Sequence, residues 1–219
     1  LDGSYDLNRE TYNGELTLSR FPLDRFLTVD SLGSASANFR LEGRYFSWPQ
    51  AKTSVNAGIR QLFYKEHEYK DITLQATLDK THLRGTMVSK DPDAPLDLVF
   101  RGDSLQQQYQ VGLGGYIGKV DLQALHLMQE PLTMGLKVDL QGFIGEHSAY
   151  ALKARFDSLS MADSRKTYTL GSLDIDMASD LKKTTLDVKT GDLQLTFRAD
   201  TSLAGFGESA GKIAGIVGK

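Results

Sequence analysis

Apolar and polar residues alternate one by one over most of the chain. Residues 72–78 and 134–140 are clear cases, with Ile, Leu, Ala, Met or Val at every second position. Successive side chains of a β-strand point to opposite faces, so each such segment presents one apolar and one polar face. The same alternation occurs at residues 35–41, 55–59, 83–87, 96–100, 150–156, 173–177, 186–188 and 193–197. The pattern therefore predicts about a dozen strands joined by short turns, arranged as an antiparallel meander.

Three segments depart from this alternation. Residues 21–27 and 125–130 have apolar residues three and four apart, which predicts a single helical turn at each place. Residues 203–219 combine apolar residues at helical spacing with Gly207, Gly211 and Gly215. Glycine disfavours a helix, so this tail is expected to be either a short amphipathic helix or disordered.

The strand pattern is duplicated. The first copy contains Tyr5, Leu7, Tyr12, Gly14, Leu16 and Leu18, and 104 residues later stand Tyr109, Val111, Tyr116, Gly118, Val120 and Leu122. We expect a first β-repeat at residues 1–104, a second at 105–202 and the glycine-rich tail at 203–219. No linker long enough to separate independent domains is evident, so the duplication predicts a repeat architecture.

Composition excludes several classes of partner. The 219 residues carry a net charge of −3, with acidic and basic residues spread along the chain, and include no cysteine. A basic nucleic-acid-binding face is not expected. Disulfides and thiolate metal sites are excluded. The chain begins with the repeat already under way, and we expect it to be a piece of a longer protein.

Two catalytic motifs occur without the context that each requires. Residues 207–211 match the G-x-S-x-G nucleophile elbow, and residues 102–105 read Gly-Asp-Ser-Leu. Both motifs belong to a strand-to-helix turn in a parallel α/β sheet, with the base histidine after the serine. No histidine follows Ser209, and the context around Ser104 is all-β. We therefore predict no catalytic residues and no enzymatic activity.

Metal and cofactor sites are likewise not expected. The four histidines, His67, His82, His126 and His147, are scattered, and no pair has ligand spacing. Residues 66–68, Glu-His-Glu, are interpreted as a solvated turn. The glycine-rich residues 112–118 miss the dinucleotide fingerprint and are more typical of a bent or bulged strand. The prediction is therefore no metal and no cofactor.

The repeated motifs resemble those of one protein family. Tyr-x-Leu, Tyr-x-Gly-x-Leu-x-Leu, Pro-Leu-x-x-Phe-Leu and Asp-Ser-Leu-Gly, ending in Leu-Glu-Gly at residues 41–43, are similar to the TamB branch of the AsmA-like proteins of Gram-negative envelopes. Residues 69–74 and 83–85 fit the same pattern, so the resemblance covers residues 1 to about 202.

The resemblance implies both a fold and a setting. It implies a long, curved, mainly antiparallel sheet forming an open groove, called a β-taco, followed here by the short C-terminal helix. It also implies a periplasmic location, an inner-membrane anchor outside this chain, and an outer-membrane β-barrel partner contacted through regions not in this chain. The family is implicated in phospholipid transport between the membranes and in outer-membrane protein assembly.

Three hypotheses follow for function. In the first, the apolar face shields phospholipid acyl chains, and no single residue is essential. In the second, sheet edges act as a chaperone or scaffold for outer-membrane proteins. In the third, the fold is a closed β-sandwich that serves as a structural spacer, because alternation alone does not distinguish a sandwich from a groove. The candidate groove-lining residues are Leu16, Leu18, Ile72, Leu74, Leu98, Phe100, Val120, Leu122, Leu136, Val138, Leu173, Ile175, Leu195 and Phe197.

Overall fold

Thirteen β-strands form one antiparallel sheet in the computed structural model, and each strand pairs with its neighbours in sequence. The structure describes residues 2–26, 31–47, 50–105, 108–145, 149–163, 165–203 and 205. The strands are β1 (Asp2–Asp6), β2 (Thr11–Pro22), β3 (Leu32–Arg44), β4 (Lys52–Tyr64), β5 (His67–Asp79), β6 (His82–Ser89), β7 (Leu96–Leu105), β8 (Gln108–Asp121), β9 (Thr133–Ile144), β10 (Tyr150–Ala162), β11 (Thr167–Ser179), β12 (Thr184–Thr190) and β13 (Leu193–Ala199).

The sheet is open. Strands β1 and β13 form its two edges and do not pair with each other, and the described strands all belong to this one sheet. The predicted all-β, antiparallel open sheet is therefore confirmed. The closed sandwich is not formed, because that fold needs a second sheet packed on the first.

Apart from β1, the two sequence copies contain a similar succession of strands. Strands β2 to β7 have 12, 13, 13, 13, 8 and 10 residues, and β8 to β13 have 14, 12, 13, 13, 7 and 7. Four long strands followed by two shorter ones thus occur twice. The sheet continues across the sequence boundary, because β7 pairs with β8 along the full length of β7.

The helical turns predicted from the sequence have different outcomes. A single 3₁₀ turn, Leu23–Arg25, follows β2 as expected. The prediction at residues 125–130 is wrong, because β8 is followed by hydrogen-bonded turns at 122–126 and then by irregular chain. The Asp121 carboxylate accepts hydrogen bonds from the backbone N–H groups of Gln123 and Ala124 and so forms an Asx turn at the start of this segment. The predicted tail helix falls on 203–219, where only Leu203 and Gly205 are described.

The duplicated tyrosine motif adopts two local structures. Tyr5 lies in β1 and Tyr12 in β2, on either side of a turn, and the two residues pair across that hairpin. Tyr109 and Tyr116 both lie in the single strand β8. The sequence similarity of the two copies therefore does not extend to the hairpin formed by β1 and β2.

The sheet separates apolar from polar residues along its whole width. Residues paired across antiparallel strands lie on the same face. One row crosses all thirteen strands and contains only glycine and apolar residues, namely Gly3, Gly14, Leu41, Val55, Ala76, Gly85, Phe100, Leu113, Leu140, Ala154, Ile175, Val188 and Leu195. We call the face that carries this row the apolar face.

The neighbouring row lies on the opposite face, which we call the polar face. Its residues are Asp2, Glu15, Arg40, Asn56, Gln75, Thr86, Val99, Gly114, Asp139, Arg155, Asp174, Lys189 and Gln194. Only Val99 and Gly114 in this row lack a polar side chain. The one-by-one alternation of the sequence thus becomes a two-sided sheet.

The two ends of the strands differ in regularity. The pairing register shifts at residues 18–21 in β2, 32–37 in β3, 117–120 in β8 and 157–160 in β10. All four irregularities lie at the end of the sheet where β2 finishes, which we call the bulged end. The other end, where β1 finishes, is the plain end. Bulges increase local twist and bend the strand, so they concentrate curvature at the bulged end.

Gly115 permits a close strand contact that another residue would prevent. Its φ is +144°, and an added Cβ would lie 2.9 Å from Leu98 Cα and would also collide with the carbonyl oxygen of Asp97. We expect Gly115→Ala to lower the free energy of unfolding by about 2–3 kcal/mol, because both the backbone conformation and the contact become strained. Urea denaturation measures this. Gly58→Ala is the control, since a Cβ at Gly58 meets nothing within 4 Å. Equal effects at both positions would contradict the explanation.

Candidate functional site

The structure places nearly all the sequence-predicted lining residues on the apolar face. Thirteen of the fourteen candidates lie in strands whose cross-strand partners belong to that face. Leu122 is the exception, since it lies in the turn after β8. The candidates come from β2, β5, β7, β8, β9, β11 and β13, so they are distributed across the sheet. They form an extended surface and are not gathered in one pocket.

Their exposure divides them into three groups. Leu98, Leu136 and Val138 are buried, at 7–8% exposure, and form a core cluster with partly buried neighbours such as Met87 and Phe156. At the β13 edge, Leu195 and Phe197 are 43% and 46% exposed. The other candidates are half-buried, namely Leu16, Leu18, Ile72, Leu74, Phe100, Val120, Leu122, Leu173 and Ile175.

The burial of the central residues implies that the sheet curls toward its apolar face. No second sheet covers this face within the described residues. Side chains on a flat or outwardly curved single sheet would diverge and remain exposed. Leu98, Leu136 and Val138 are buried because side chains on adjacent strands close over them. The bulges supply the bending that this closure requires.

A band of exposed apolar residues, which sequence reasoning missed, follows the plain end of the same face. In the centre of the sheet, Tyr109 pairs with Ile144, and Ile144 pairs with Tyr150. Their exposures are 49%, 43% and 37%. We call this band the plain-end rim, and its other members are Tyr5, Leu41, Leu83 and Val111. The tyrosine repeat marks Tyr5 and Tyr109 in the sequence. Their exposure at one end of the apolar face can be predicted only when the strand register and the curvature of the sheet are known.

The rim makes the apolar face accessible from one side. At the bulged end the side chains form a core, whereas at the plain end large apolar side chains remain in contact with water. A contiguous exposed apolar surface on a folded domain is typical of a binding site. The arrangement can therefore accept an apolar ligand along the rim without unfolding the core.

The polar face carries several ion pairs. Asp103 accepts from Arg84 at 2.9 Å and lies 2.6 Å from His82 Nδ1. A depression of about 460 Å³ on this face is lined in part by Arg84, Arg101, Asp103 and Lys153. Hydrogen bonds from Arg84 and then His82 lower the pKa of the Asp103 carboxyl. These groups suit a solvated surface and lie on the opposite side of the sheet from the rim.

The lowered pKa of Asp103 makes its contribution to stability pH-dependent. Because the folded-state pKa lies below the usual value, the contribution is complete above about pH 5 and is lost as pH falls through the folded-state pKa. We expect Asp103→Asn to cost less than about 1 kcal/mol at pH 7, because His82 and Arg84 are half exposed. Urea denaturation from pH 7 to pH 2.5 should show this cost disappearing at low pH. A cost that grows on acidification would contradict the assignment.

Two of the motifs that lack a catalytic or nucleotide-binding context in the sequence fall within the described residues, and both lie in strands. Residues 102–105 belong to the end of β7, and residues 112–118 lie within β8. The G-x-S-x-G motif at 207–211 lies outside the described residues. Within the described part of the chain, no helix has the length and hydropathy needed to cross a membrane.

Comparison of the chain with known protein families, with curated proteins and with solved structures finds no match in any of the three. The features of the chain that bear on its function are therefore its two faces, the rim and the motifs of the sequence.

Proposed function

We propose that the chain binds phospholipid acyl chains on its apolar face, as a non-enzymatic interior segment of a TamB-like protein that carries lipid between the inner and outer membranes. The observation that supports this most strongly is the row of glycine and apolar residues that crosses all thirteen strands without interruption. The exposed rim, which shares Leu41 with that row, gives a ligand access to it.

The dimensions of the face suit a long apolar ligand. Adjacent strands lie about 4.8 Å apart, so twelve intervals between thirteen strands span roughly 55–60 Å. Each buried methylene contributes about 0.8 kcal/mol, so an acyl segment of a dozen methylenes gains roughly 10 kcal/mol on transfer from water. Since the chemistry is nearly uniform along the row, a bound chain can shift from strand to strand without crossing a polar barrier.

The cellular setting is part of the same proposal and is supported by the motif resemblance. A periplasmic location places the chain between two membranes that exchange phospholipid. The membrane anchor and the contact with an outer-membrane β-barrel partner are assigned to regions outside this chain. The apolar face is the part of that pathway which this chain supplies.

A second candidate function is supported by the β13 edge. Six of the seven residues of β13 are exposed, Leu193, Leu195 and Phe197 among them. An edge strand offers unpaired backbone groups to an incoming strand, which would suit an assembly chaperone for outer-membrane proteins. A structural spacer needs neither this edge nor the rim to be apolar.

Titration with a fluorescent fatty-acid analogue tests the proposal. We expect saturable binding that is displaced by phospholipid and is unaffected by a β-strand peptide from an outer-membrane protein. Displacement by the peptide but not by phospholipid would favour the chaperone. If neither the fatty-acid analogue nor the peptide bound, the structural spacer would be the remaining function.

A further inference from the structure

Three side chains of types that can bind metals meet at the bulged end, and they come from two places distant in sequence. His67 begins β5, whereas Asp91 and Asp93 belong to the loop between β6 and β7. One ligand atom from each residue lies within 4.8 Å of the other two. The His67 and Asp91 side chains are only 11% and 1% exposed. The antiparallel register causes this meeting, because it returns the chain to the same end after every second strand.

The imidazole of His67 is held in one orientation. Its Nδ1 lies 3.1 Å from the carbonyl oxygen of Ala124, in the turn after β8. A carbonyl accepts and does not donate, so Nδ1 carries a proton, and Nε2 is the ring nitrogen that remains to bind a cation. Hydrogen bonding of the distal nitrogen to a carbonyl is the arrangement that orients metal-binding histidines.

The free nitrogen of His67 is buried without a partner. Nε2 is shielded from solvent and makes no hydrogen bond. Its neighbour is Asp91 Oδ1 at 3.7 Å, which exceeds hydrogen-bonding distance. A buried polar atom without a partner is costly, and here it faces a carboxylate.

Asp91 is fixed in place by the backbone. Its Oδ1 accepts from the N–H groups of Asp93 and Ala94, and its Oδ2 accepts from Lys70 N–H at 2.8 Å. The Asp93 carboxylate has no ion-pair or hydrogen-bond partner among the described residues. Two carboxylates and the imidazole Nε2 thus converge, an arrangement that a cation between them would stabilise.

We propose that His67, Asp91 and Asp93 bind a divalent transition-metal ion, with water completing its coordination. One imidazole and two carboxylates suit Zn²⁺, with Mn²⁺ bound more weakly. Ligands about 2.0–2.2 Å from zinc, at tetrahedral angles, lie about 3.3–3.6 Å apart, close to the separation between His67 and Asp91. The ion would link β5 to the loop between β6 and β7, and through Ala124 to the turn after β8. This site does not depend on the proposed lipid function.

Isothermal titration of the EDTA-treated, untagged chain with Zn²⁺ tests the site. We expect one equivalent to bind, and the melting temperature to rise by about 5–10 °C at a free zinc concentration 100 times Kd. His67→Gln and Asp93→Asn should each weaken binding at least about tenfold, and the double variant should abolish it. Asp93→Asn leaves the backbone contacts of Asp91 in place, so loss of binding there does not require misfolding.

His82→Gln is the matched control, because His82 also lies beside an aspartate but is half exposed. It should leave zinc binding unchanged. Absence of saturable binding by the wild-type chain would overturn the proposal, as would equal weakening by His82→Gln, or undiminished binding in the double variant. Failure of the fatty-acid titration has no bearing on this result, because the three ligands lie at the bulged end of the sheet and the rim lies at the plain end.

Discussion

Replacement of Leu98 by alanine should lower the free energy of unfolding by about 2–5 kcal/mol. Leu98 is 8% exposed and packs with Leu136 and Val138 in the core of a single-layer sheet. Truncation removes the transfer energy of the missing atoms and leaves a cavity, because neighbouring strands are held by their hydrogen bonds and relax only partly. Urea or thermal denaturation followed by circular dichroism measures the loss.

Leu195→Ala is the matched control for this prediction. Leu195 lies on the same face but is 43% exposed at the β13 edge. Its truncation should cost less than about 1 kcal/mol, since little additional surface is created. Equal effects of the two substitutions would contradict the description of the apolar face as buried in the centre and exposed at the β13 edge.

Replacement of Val111 by aspartate should weaken binding of a fluorescent fatty-acid analogue by about 10–30-fold. The double variant Val111→Asp/Ile144→Asp should weaken the same binding by at least about 100-fold. Both residues lie on the plain-end rim, at 44% and 43% exposure. A carboxylate there removes apolar contact and must be desolvated when an acyl chain covers it. Fluorescence titration measures the affinity, and circular dichroism establishes that the variants are folded.

Val99→Asp provides a control of the same residue type and charge change. Val99 is 55% exposed in β7, the strand adjacent to β8, but it lies on the polar face. Its substitution should leave binding within about twofold of wild type. A similar loss from Val99→Asp and Val111→Asp would mean that the analogue responds to net charge and does not occupy the apolar face.

The sequence was sufficient to predict the secondary structure because the alternation is nearly unbroken. A strict period of two places residues such as Ile72 and Leu74 on one face and Thr73 and Gln75 on the other, whatever the neighbouring strands are. Short turns then leave a meander as the simplest topology. The placement of thirteen candidate residues on one face follows from these two properties.

Features that depend on register could not be predicted in this way. Leu136 and Leu195 are the same residue type in the same alternation, yet one is buried and the other exposed. The difference arises from position in the sheet, because β9 has a neighbouring strand on each side and β13 has one. Substitutions that test ligand binding should therefore be made at rim residues such as Val111, whereas substitutions at Leu136 mainly change the stability of the fold.

The cluster of His67, Asp91 and Asp93 was missed for the same reason. Metal-binding motifs are recognised in a sequence by ligands at short spacing, and His67 between two glutamates is typical of a solvated turn. Two further strand passages separate it from Asp91. Only the pairing of β5 with β6 and of β6 with β7 brings the start of β5 beside the loop at residues 90–95.

Native mass spectrometry of the chain, purified from membranes without detergent, tests the acyl-binding claim most directly. The proposal predicts added masses that match phospholipids, confirmed by extraction, and their loss from the folded Val111→Asp/Ile144→Asp variant but not from Val99→Asp. A wild-type chain that carries no lipid and fails to bind the fatty-acid analogue would contradict it.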